Sequence, residues 1–394
     1  MWGIETLSGA VFVLAAAAAL YILAGYPLLL ALAPFRKSPA VRKDPSFRRG
    51  ASIILAVRDG GRFLRDKLES LLALEYPKDL VEILVVSDGS TDETDRIAGE
   101  FAGRGVRLLR QPQQGKAAAL NAGMALATGE ILFFTDVRQP LDRLALSHLV
   151  ANFADPSVGA ATGELRLLGS ETGVQADLGL YWRYETWVRK RHSAIHSVFQ
   201  ASGCIYALRR DLAGSIPVDT LADDAELAIR AYLAGYRVIL DTEATAYDYP
   251  GVASGEFRRR LRGMAGVWQV FARHPRMFLP ANRMWLHFLS HKFGRLALPW
   301  ALVAAAVGAA GLPASPLGAC VAAGGLALVG LALLDLLMPR GFPLKRFSSP
   351  ARTFLSMSAA ALLSSAVFFV EPRRFWSPTR VEVSDCKEPS AKAG

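Results

Sequence analysis

Short continuous apolar runs occupy Ala51–Val57, Val81–Val86 and Ile131–Phe134, each bounded by turn residues. Runs of this length without polar alternation predict strands buried on both faces, the condition of a parallel sheet. Segments of helical length separate them, at Arg62–Leu74, Asp92–Gly103 and Lys116–Thr128. Strand and helix in alternation predict an α/β domain with a mostly parallel sheet covered by helices. The three runs lead into carboxylates, Asp59, Asp88 and Asp136. Ligands of such sheets sit outside the carboxyl ends of the strands, so the three acids are expected in one crevice.

The pattern continues with a helix over Leu141–Phe153, a short strand over Val158–Gly163 and a helix over Gly173–His192 that carries Tyr181, Trp182, Tyr184 and Trp187. Phe199–Leu208 reads as a strand, Asp223–Gly235 as a helix and Arg237–Leu240 as a returning strand. The acidic start of the Asp223 helix suits the helix dipole, and Gly235 stands where a terminal glycine belongs.

A second pattern has no polar face. Thr6–Ala33 is apolar throughout, carries no charge and has only Pro27 as a breaker. About 20 such residues cross a bilayer core. The run is too long for a signal peptide and has no basic stretch before it. Leu296–Leu312, Leu317–Met338 and Phe354–Val370 are further spans, with Asp335 the one acid among them. Gly255–Phe278 differs again: Phe257, Leu261, Met264, Val267, Trp268 and Phe271 recur at helical spacing beside Arg258, Arg259, Arg260, Arg262, Arg273 and Arg276. That combination predicts a helix lying in a membrane interface, its aromatic residues in the acyl boundary. The expected layout is an N-terminal span (1–35), a basic linker (36–50), a catalytic domain (51–250), an interfacial segment (251–294), C-terminal spans (295–371) and a polar tail (372–394).

Composition agrees: 52% of the 394 residues are hydrophobic, and the mean hydropathy is +0.25. The formal charge of +10 matters through its location. Arg36, Lys37, Arg42, Lys43, Arg48 and Arg49 follow the first span, so the linker and catalytic domain are expected in the cytoplasm of a multi-pass inner-membrane protein, with the N-terminus outside. Four spans then put the C-terminus outside, against the pull of Arg373, Arg374 and Arg380. No helix-turn-helix, zinc finger or RNA-binding pattern accompanies the charge, so membrane lipids rather than nucleic acid are the expected partner. Cys204, Cys320 and Cys386 are widely spaced, which excludes a disulfide framework and a cysteine zinc site; Cys204, in an apolar run, reads as core.

The candidate chemistry is that of a nucleotide-sugar site. Asp88, in the turn SDGSTDET, is suited to accept a hydrogen bond from a base N–H, with Asp59 beside it; the alternative for Asp88 is a turn-forming role. Lys116, after Gly115 at a helix start, is suited to reach phosphate together with free backbone N–H groups. No GxGxxG follows the first strand, which counts against a dinucleotide fold.

Together these residues resemble the family 2 inverting glycosyltransferases of the GT-A fold, a Rossmann-like, mostly parallel sheet domain, here flanked by transmembrane helices. The resemblance runs from Ala51 to Trp268. It implies that Asp59 and Asp88 hold the nucleoside, that GKAAALNAG, with Lys116, lies near the phosphates, and that Asp136 is the first acid of the DxD motif. LADDAELAIRAYLAGYRVIL matches the family's ED-containing helix, which assigns the general base to Asp224 and the family's Glu position to Asp223. Membrane-flanked members of this kind look like bacterial polysaccharide synthases. The implied reaction moves a sugar from a nucleotide sugar, foremost a UDP-sugar, to a lipid-linked or growing glycan acceptor in cell-surface or exopolysaccharide synthesis.

Two departures qualify this. In DVRQ the second acid of DxD is replaced by Arg138, so the Mg2+ or Mn2+ that the motif implies keeps only Asp136 as a ligand, and metal use is in question. Arg138 could bind phosphate itself or pair with a neighbouring carboxylate. The Q(Q/R)xRW motif of processive synthases is half present: Arg259, Arg260 and Arg262 retain its basic character, with Asp223 facing acceptor or diphosphate, but its Gln and Trp are missing. Trp268, further along, is the candidate for stacking on the acceptor. Two other classes compete: a catalytically impaired membrane scaffold or receptor that kept the fold, and a nucleotidyltransferase, which shares the sheet but does not account for the membrane segments.

Overall fold

The computed structural model describes residues 2–167, 173–248, 253–312, 316–339 and 342–376. Arg380 and Cys386 lie outside these, as do the side chains of Tyr181 and Trp182. Seven strands form one sheet: β1 (Ala51–Val57), β2 (Val81–Asp88), β3 (Val106–Gln111), β4 (Ile131–Phe134), β5 (Val158–Leu167), β6 (Tyr206–Arg209) and β7 (Arg237–Asp248). Their order is β3-β2-β1-β4-β6-β5-β7. The first four are parallel, β6 runs antiparallel to β4 and β5, and β7 is parallel to β5. Ile53 stands opposite Ile83 on one side and Phe133 on the other, so the apolar runs align in register at the sheet centre.

Because both faces are covered, alternate residues feed two cores. Leu55 and Phe133 meet Leu64, Leu68, Leu149 and Phe153 on one face. Ile54, Leu132, Phe134 and Tyr206 meet Leu227 and Ile229 on the other. The strand order reverses between β1, β2 and β4, and their carboxyl ends open the crevice expected of this topology.

Several elements differ from the sequence reading. β3 was not legible: as an edge strand it exposes Arg107 and Arg110 and lacks a continuous apolar run. The stretch Phe199–Leu208 is not one strand. A tight turn over Gly203 and Cys204, closed by the Ser202–Ile205 bridge, leaves only Tyr206–Arg209 in the sheet. Ser202 N–H donates to Thr162 Oγ1 at 2.8 Å, which pins the turn beside β5. Leu141–Phe153 contains a shorter helix, Ala145–Ala151, continued by a 3-10 turn.

Among the described residues four helices are long and apolar enough to cross a membrane: Thr6–Leu32, Trp285–Ala310, Gly318–Leu337 and Lys345–Phe368. The second begins well before Leu296 and the fourth before Phe354; their opening turns bury His287, Ser290 and His291 in the one and Ser348 and Ser349 in the other. Asp335, near the end of the third, accepts from Ser348 and Ser349 at 2.8 Å each and pairs with Arg352 at 3.0 Å.

The helix Ala253–Arg273 overturns the expectation of an acyl-facing surface for Trp268 and Phe271. Val267, Val270 and Phe271 are buried in the second core with Met277, Phe288 and Leu296. Trp268 donates from Nε1 to Ser364 Oγ at 3.1 Å and meets Phe293 and Phe368 edge-on. The last span folds back over this face and supplies the apolar surface that lipid was expected to supply. Gly266 makes the approach on the other side: a Cβ there would stand 2.7 Å from the Ala222 Cβ. The helix is thereby pressed onto the residue that precedes Asp223.

Candidate active site

A cleft of about 450 Å³ lies at the carboxyl end of β4, between the sheet, the start of the helix Asp223–Leu233 and the first C-terminal span. Its floor is made by the strand end and the turn 200–204. Thr135 donates from Oγ1 to the Cys204 carbonyl at 2.8 Å. Lys67, fully buried beneath, donates to Thr135 Oγ1 at 2.7 Å and to the Gln139 carbonyl at 2.5 Å. One ammonium therefore fastens both sides of the segment that presents Asp136. Burial pushes this lysine down to about 7.

Lys116 comes from the first turn of the helix Lys116–Leu126. Its Nζ lies 3.0 Å from Asp136 Oδ1 and 3.2 Å from Asp223 Oδ1. Burial works against its charge, but Asp136 and Asp223 outweigh that and hold it protonated well above the ordinary lysine range. Asp223 also accepts from the Tyr206 hydroxyl at 3.4 Å. Lys116 is neutralised by these two carboxylates, so a diphosphate beside it depends on the further positive charge of Arg259, Arg260 and Arg262, which line the same cleft.

Asp224 points to the other side. Its Oδ1 caps its own helix through Ala225 N–H at 2.9 Å, and its Oδ2 accepts from Gln200 Nε2 at 3.1 Å. Burial, then the neighbouring Asp223 charge, pushes its carboxyl up to about 6. Gln200 in turn accepts from Lys292 of the span Trp285–Ala310. Arg259, Arg260 and Arg262 line the same cleft. Burial lowers Arg262, opposed by the Asp136 and Asp223 charges.

Asp59 and Asp88 do not join this cavity. Asp59 adopts φ +47°, a region Asp tolerates better than most residues, and its Oδ1 accepts from Thr91 N–H at 2.7 Å. Asp88 is 4% exposed and spends both oxygens on its surroundings: Gln111 Nε2 at 3.0 Å, Gln114 N–H at 2.7 Å and Gly115 N–H at 2.8 Å. The loop lies this close because residue 89 is glycine with φ +66°; a Cβ would meet Gln113 N at 2.7 Å. Asp88 thus shapes the 113–115 turn, and of the three acids only Asp136 lines this cavity.

Glycosyl transferase family 2 matches residues 52–215, and Glycosyl transferase family group 2 matches residues 141–363, more than half of the chain. The chain belongs to this glycosyltransferase family. It is 26% identical over 264 residues to a probable glycosyltransferase, YdaM, of Bacillus subtilis, covering 63% of this chain and 62% of that protein. It is 25% identical over 248 residues to the poly-beta-1,6-N-acetyl-D-glucosamine synthase of Staphylococcus epidermidis, covering 61% and 60%. The chain thus spans somewhat less than two thirds of the length of these relatives. The mannosyltransferase PcManGT from Pyrobaculum calidifontis, solved with GDP-Man and Mn2+, superposes with a TM-score of 0.71 at 26% identity, over 92% of this chain and 98% of that one. A family 2 glycosyltransferase similar to polysaccharide synthases, on a GT-A fold with candidate membrane helices, is therefore what this chain is.

In this glycosyltransferase Arg138 points away from phosphate work. Its guanidinium donates to Asp248 Oδ2 at 2.7 Å, and the two side chains are 13% and 3% exposed. Asp248 ends β7 and also accepts from Gln139 Nε2 at 3.2 Å, so Arg138 takes the carboxylate-pairing alternative. A divalent ion here would need diphosphate oxygens to complete its coordination. Among the described residues no three His, Cys, Asp or Glu side chains converge on a point, and Asp136 already carries the Lys116 ammonium. Trp268 lies outside the cleft lining, in contact with Ser364, and is not positioned to stack on an acceptor there. The sequence reading missed Lys67, Arg189, Gln200, Lys292 and Arg295. Lys292 and Arg295 carried a signal, being cations at the start of a largely apolar stretch.

Proposed function

We propose that this protein is a membrane-bound inverting glycosyltransferase of the bacterial inner membrane, with its catalytic domain in the cytoplasm, that transfers a sugar from a nucleotide sugar to a lipid-linked or growing glycan acceptor. Asp224 is the general base. The observation that carries the reading is this half-buried carboxyl with a pKa near 6, one residue from the Asp223–Lys116–Asp136 chain. A base poised just below neutral pH is ionised when needed and strong enough to accept a proton as bonding develops. In the reaction the acceptor oxygen bonds to the anomeric carbon and its proton passes to Asp224. The bond from that carbon to the diphosphate oxygen breaks on the opposite face, and the nucleoside diphosphate leaves with the electron pair.

Lys116, with Arg259, Arg260 and Arg262 behind it, supplies the positive charge that the leaving diphosphate needs as it develops. Asp59 and Asp88 act on the nucleoside through the 88–91 and 113–115 turns that they shape. Asp136 is the one residue suited to an ion bound chiefly by diphosphate oxygens; such an ion would add charge stabilisation on the leaving group. A UDP-sugar is the donor suggested by the sequence, and GDP-Man is the donor bound by PcManGT, so both belong in the test. Membranes containing the protein, given a panel of UDP- and GDP-sugars, are expected to release the matching nucleoside diphosphate. Release of pyrophosphate, or no turnover with any donor, would overturn the reading.

A further inference from the structure

Beyond Asp224 the cleft extends away from Lys116 toward the spans. Its walls there are Arg189, from the helix Gly173–Ile195, and Lys292 and Arg295, from the span Trp285–Ala310. Glu185 is the carboxylate among them, and it pairs with Arg295 at 2.5 Å. Burial pushes Glu185 up, but Arg295, His291 and Lys292 outweigh that and hold it ionised at about 2.

Arg189 and Lys292 are bonded to neutral oxygens: Arg189 donates to Ser202 Oγ at 3.1 Å and to the Gln200 carbonyl at 3.5 Å, and Lys292 donates to Gln200 Oε1. Among the described residues neither makes a close ion pair as Arg295 does with Glu185. The Glu185 and Asp224 charges favour both cations from further off, and with Arg295 the three cations outnumber these two carboxylates, so an entering anion gains direct charge-assisted hydrogen bonds from Arg189 and Lys292. The donor diphosphate is accounted for at Lys116, on the opposite side of the Asp223–Asp224 pair. The lining also carries Leu296 and Met357, one apolar side chain from each of two candidate spans.

The geometry points to an acceptor subsite for a phosphate-bearing lipid: Arg189 and Lys292 hold the phosphate, and the hydrocarbon lies along Leu296 and Met357 between the spans. This rests on the glycosyl-transfer reading only in calling the ligand an acceptor. Gln200 links the two functions, since its carbonyl-type side-chain oxygen takes Lys292 while its amide holds Asp224. An occupied subsite therefore sets the orientation of the base, and a phosphate oxygen held there lies on the acceptor side of it.

The test uses the full chain in detergent micelles and calorimetric titration with farnesyl phosphate, farnesol and glucose 1-phosphate. Farnesyl phosphate is expected to bind at least about tenfold tighter than farnesol, the effect of a charge-assisted hydrogen bond. Arg189→Gln and, independently from another helix, Lys292→Gln are each expected to weaken farnesyl phosphate about tenfold and leave farnesol unchanged. Arg189→Lys should restore part of the loss, and Lys116→Gln should leave this binding intact. Equal binding of farnesyl phosphate and farnesol, or indifference to both substitutions, overturns the subsite. Glucose 1-phosphate binding as tightly as farnesyl phosphate overturns the lipid assignment. A protein that releases nucleoside diphosphate from a donor yet shows no phosphate preference refutes the subsite alone. One that binds farnesyl phosphate but turns over no nucleotide sugar refutes the transfer reading alone.

Discussion

The acid limb of the pH–rate profile is where the Asp224 assignment is most exposed. The limb of the turnover rate is expected near pH 6, the value to which burial and Asp223 push the base. Because Asp223 and Asp224 are adjacent, the limb reports the pair rather than one carboxyl. The perturbation that reaches the base is Gln200→Leu, which deletes the 3.1 Å hydrogen bond to Asp224 Oδ2 together with the Lys292 contact behind it and leaves Lys116 and Asp136 untouched. That bond favours the ionised form. A hydrogen bond to a charged group contributes about 1.5–3 kcal/mol, and about 1.4 kcal/mol corresponds to one pH unit. The limb should then move up by about one to two units, so that activity at pH 7 falls several-fold while the rate at pH 9 recovers. Asp224→Asn should abolish transfer at every pH and leave donor binding intact. It should also stabilise the fold. A carboxyl whose folded value exceeds its unfolded one binds more protons in the folded state, so it loses stability as pH rises from about 4 to about 6. Removing the charge restores up to about 3 kcal/mol at neutral pH. The assays are nucleoside diphosphate release from pH 5 to 9 and thermal unfolding at pH 7.5. A limb that Gln200→Leu leaves in place, or an Asp224→Asn protein with a tenth or more of wild-type activity, refutes the reasoning.

Lys67→Met should remove the pH dependence that its depressed lysine imposes: between about pH 7 and about 10.4 the unfolded chain binds more protons at this site, so wild-type stability rises with pH across that window more steeply than the variant's. Thermal unfolding of both proteins at stepped pH checks this, and parallel curves would contradict it. Arg138→Asp should set a carboxylate beside Asp248 and lower both stability and activity instead of creating a metal-dependent enzyme; activity restored above wild type by Mn2+ after EDTA treatment would reverse that conclusion. Trp268→Phe should leave the KM for acceptor within about twofold and cost roughly 1 kcal/mol of stability through the lost Ser364 bond; a large rise in KM would return Trp268 to the acceptor site.

The part of the site that was legible in the sequence is the part coded locally. Asp136 follows an apolar run, Lys116 opens a helix after a glycine, and Asp223 and Asp224 open another; each is marked by its own flanking residues. Their convergence follows from parallel topology, which brings strand ends together. Arg189, Gln200, Lys292 and Arg295 have no such marks in common. They meet because the first C-terminal span packs against the helix Gly173–Ile195 and the 200–204 turn, a tertiary event that periodicity does not encode. Trp268 shows the same limit from the other direction. Its helix has the spacing and charge of an interfacial element, but what covers the apolar face is decided by the last span, which brings Ser364 and Phe368 to it. Asp88 was read with two roles open, and the return of the 113–115 loop, which local sequence does not encode, shows the turn-forming one.

The adjacency of Asp223 and Asp224 follows from what the cleft has to keep apart. Successive residues on a helix point about 100° from each other, so two carboxylates in the first turn face different arms without any special loop. Asp223 turns to Lys116 and Tyr206 on the diphosphate side, and Asp224 turns to Gln200 and, through it, to Lys292. Burial, and then the Asp223 charge, raises the proton affinity of Asp224 to that of a useful base, and the same Asp223 charge, after Asp136, holds the donor-side lysine protonated. The chain that orients Asp224 ends on a residue of a membrane span, and so does the wall opposite it. In the proposed reading the catalytic domain alone does not contain its acceptor side: the cleft is completed by Lys292 of the candidate membrane helix Trp285–Ala310, and that helix would tie transfer to a membrane surface through named side chains.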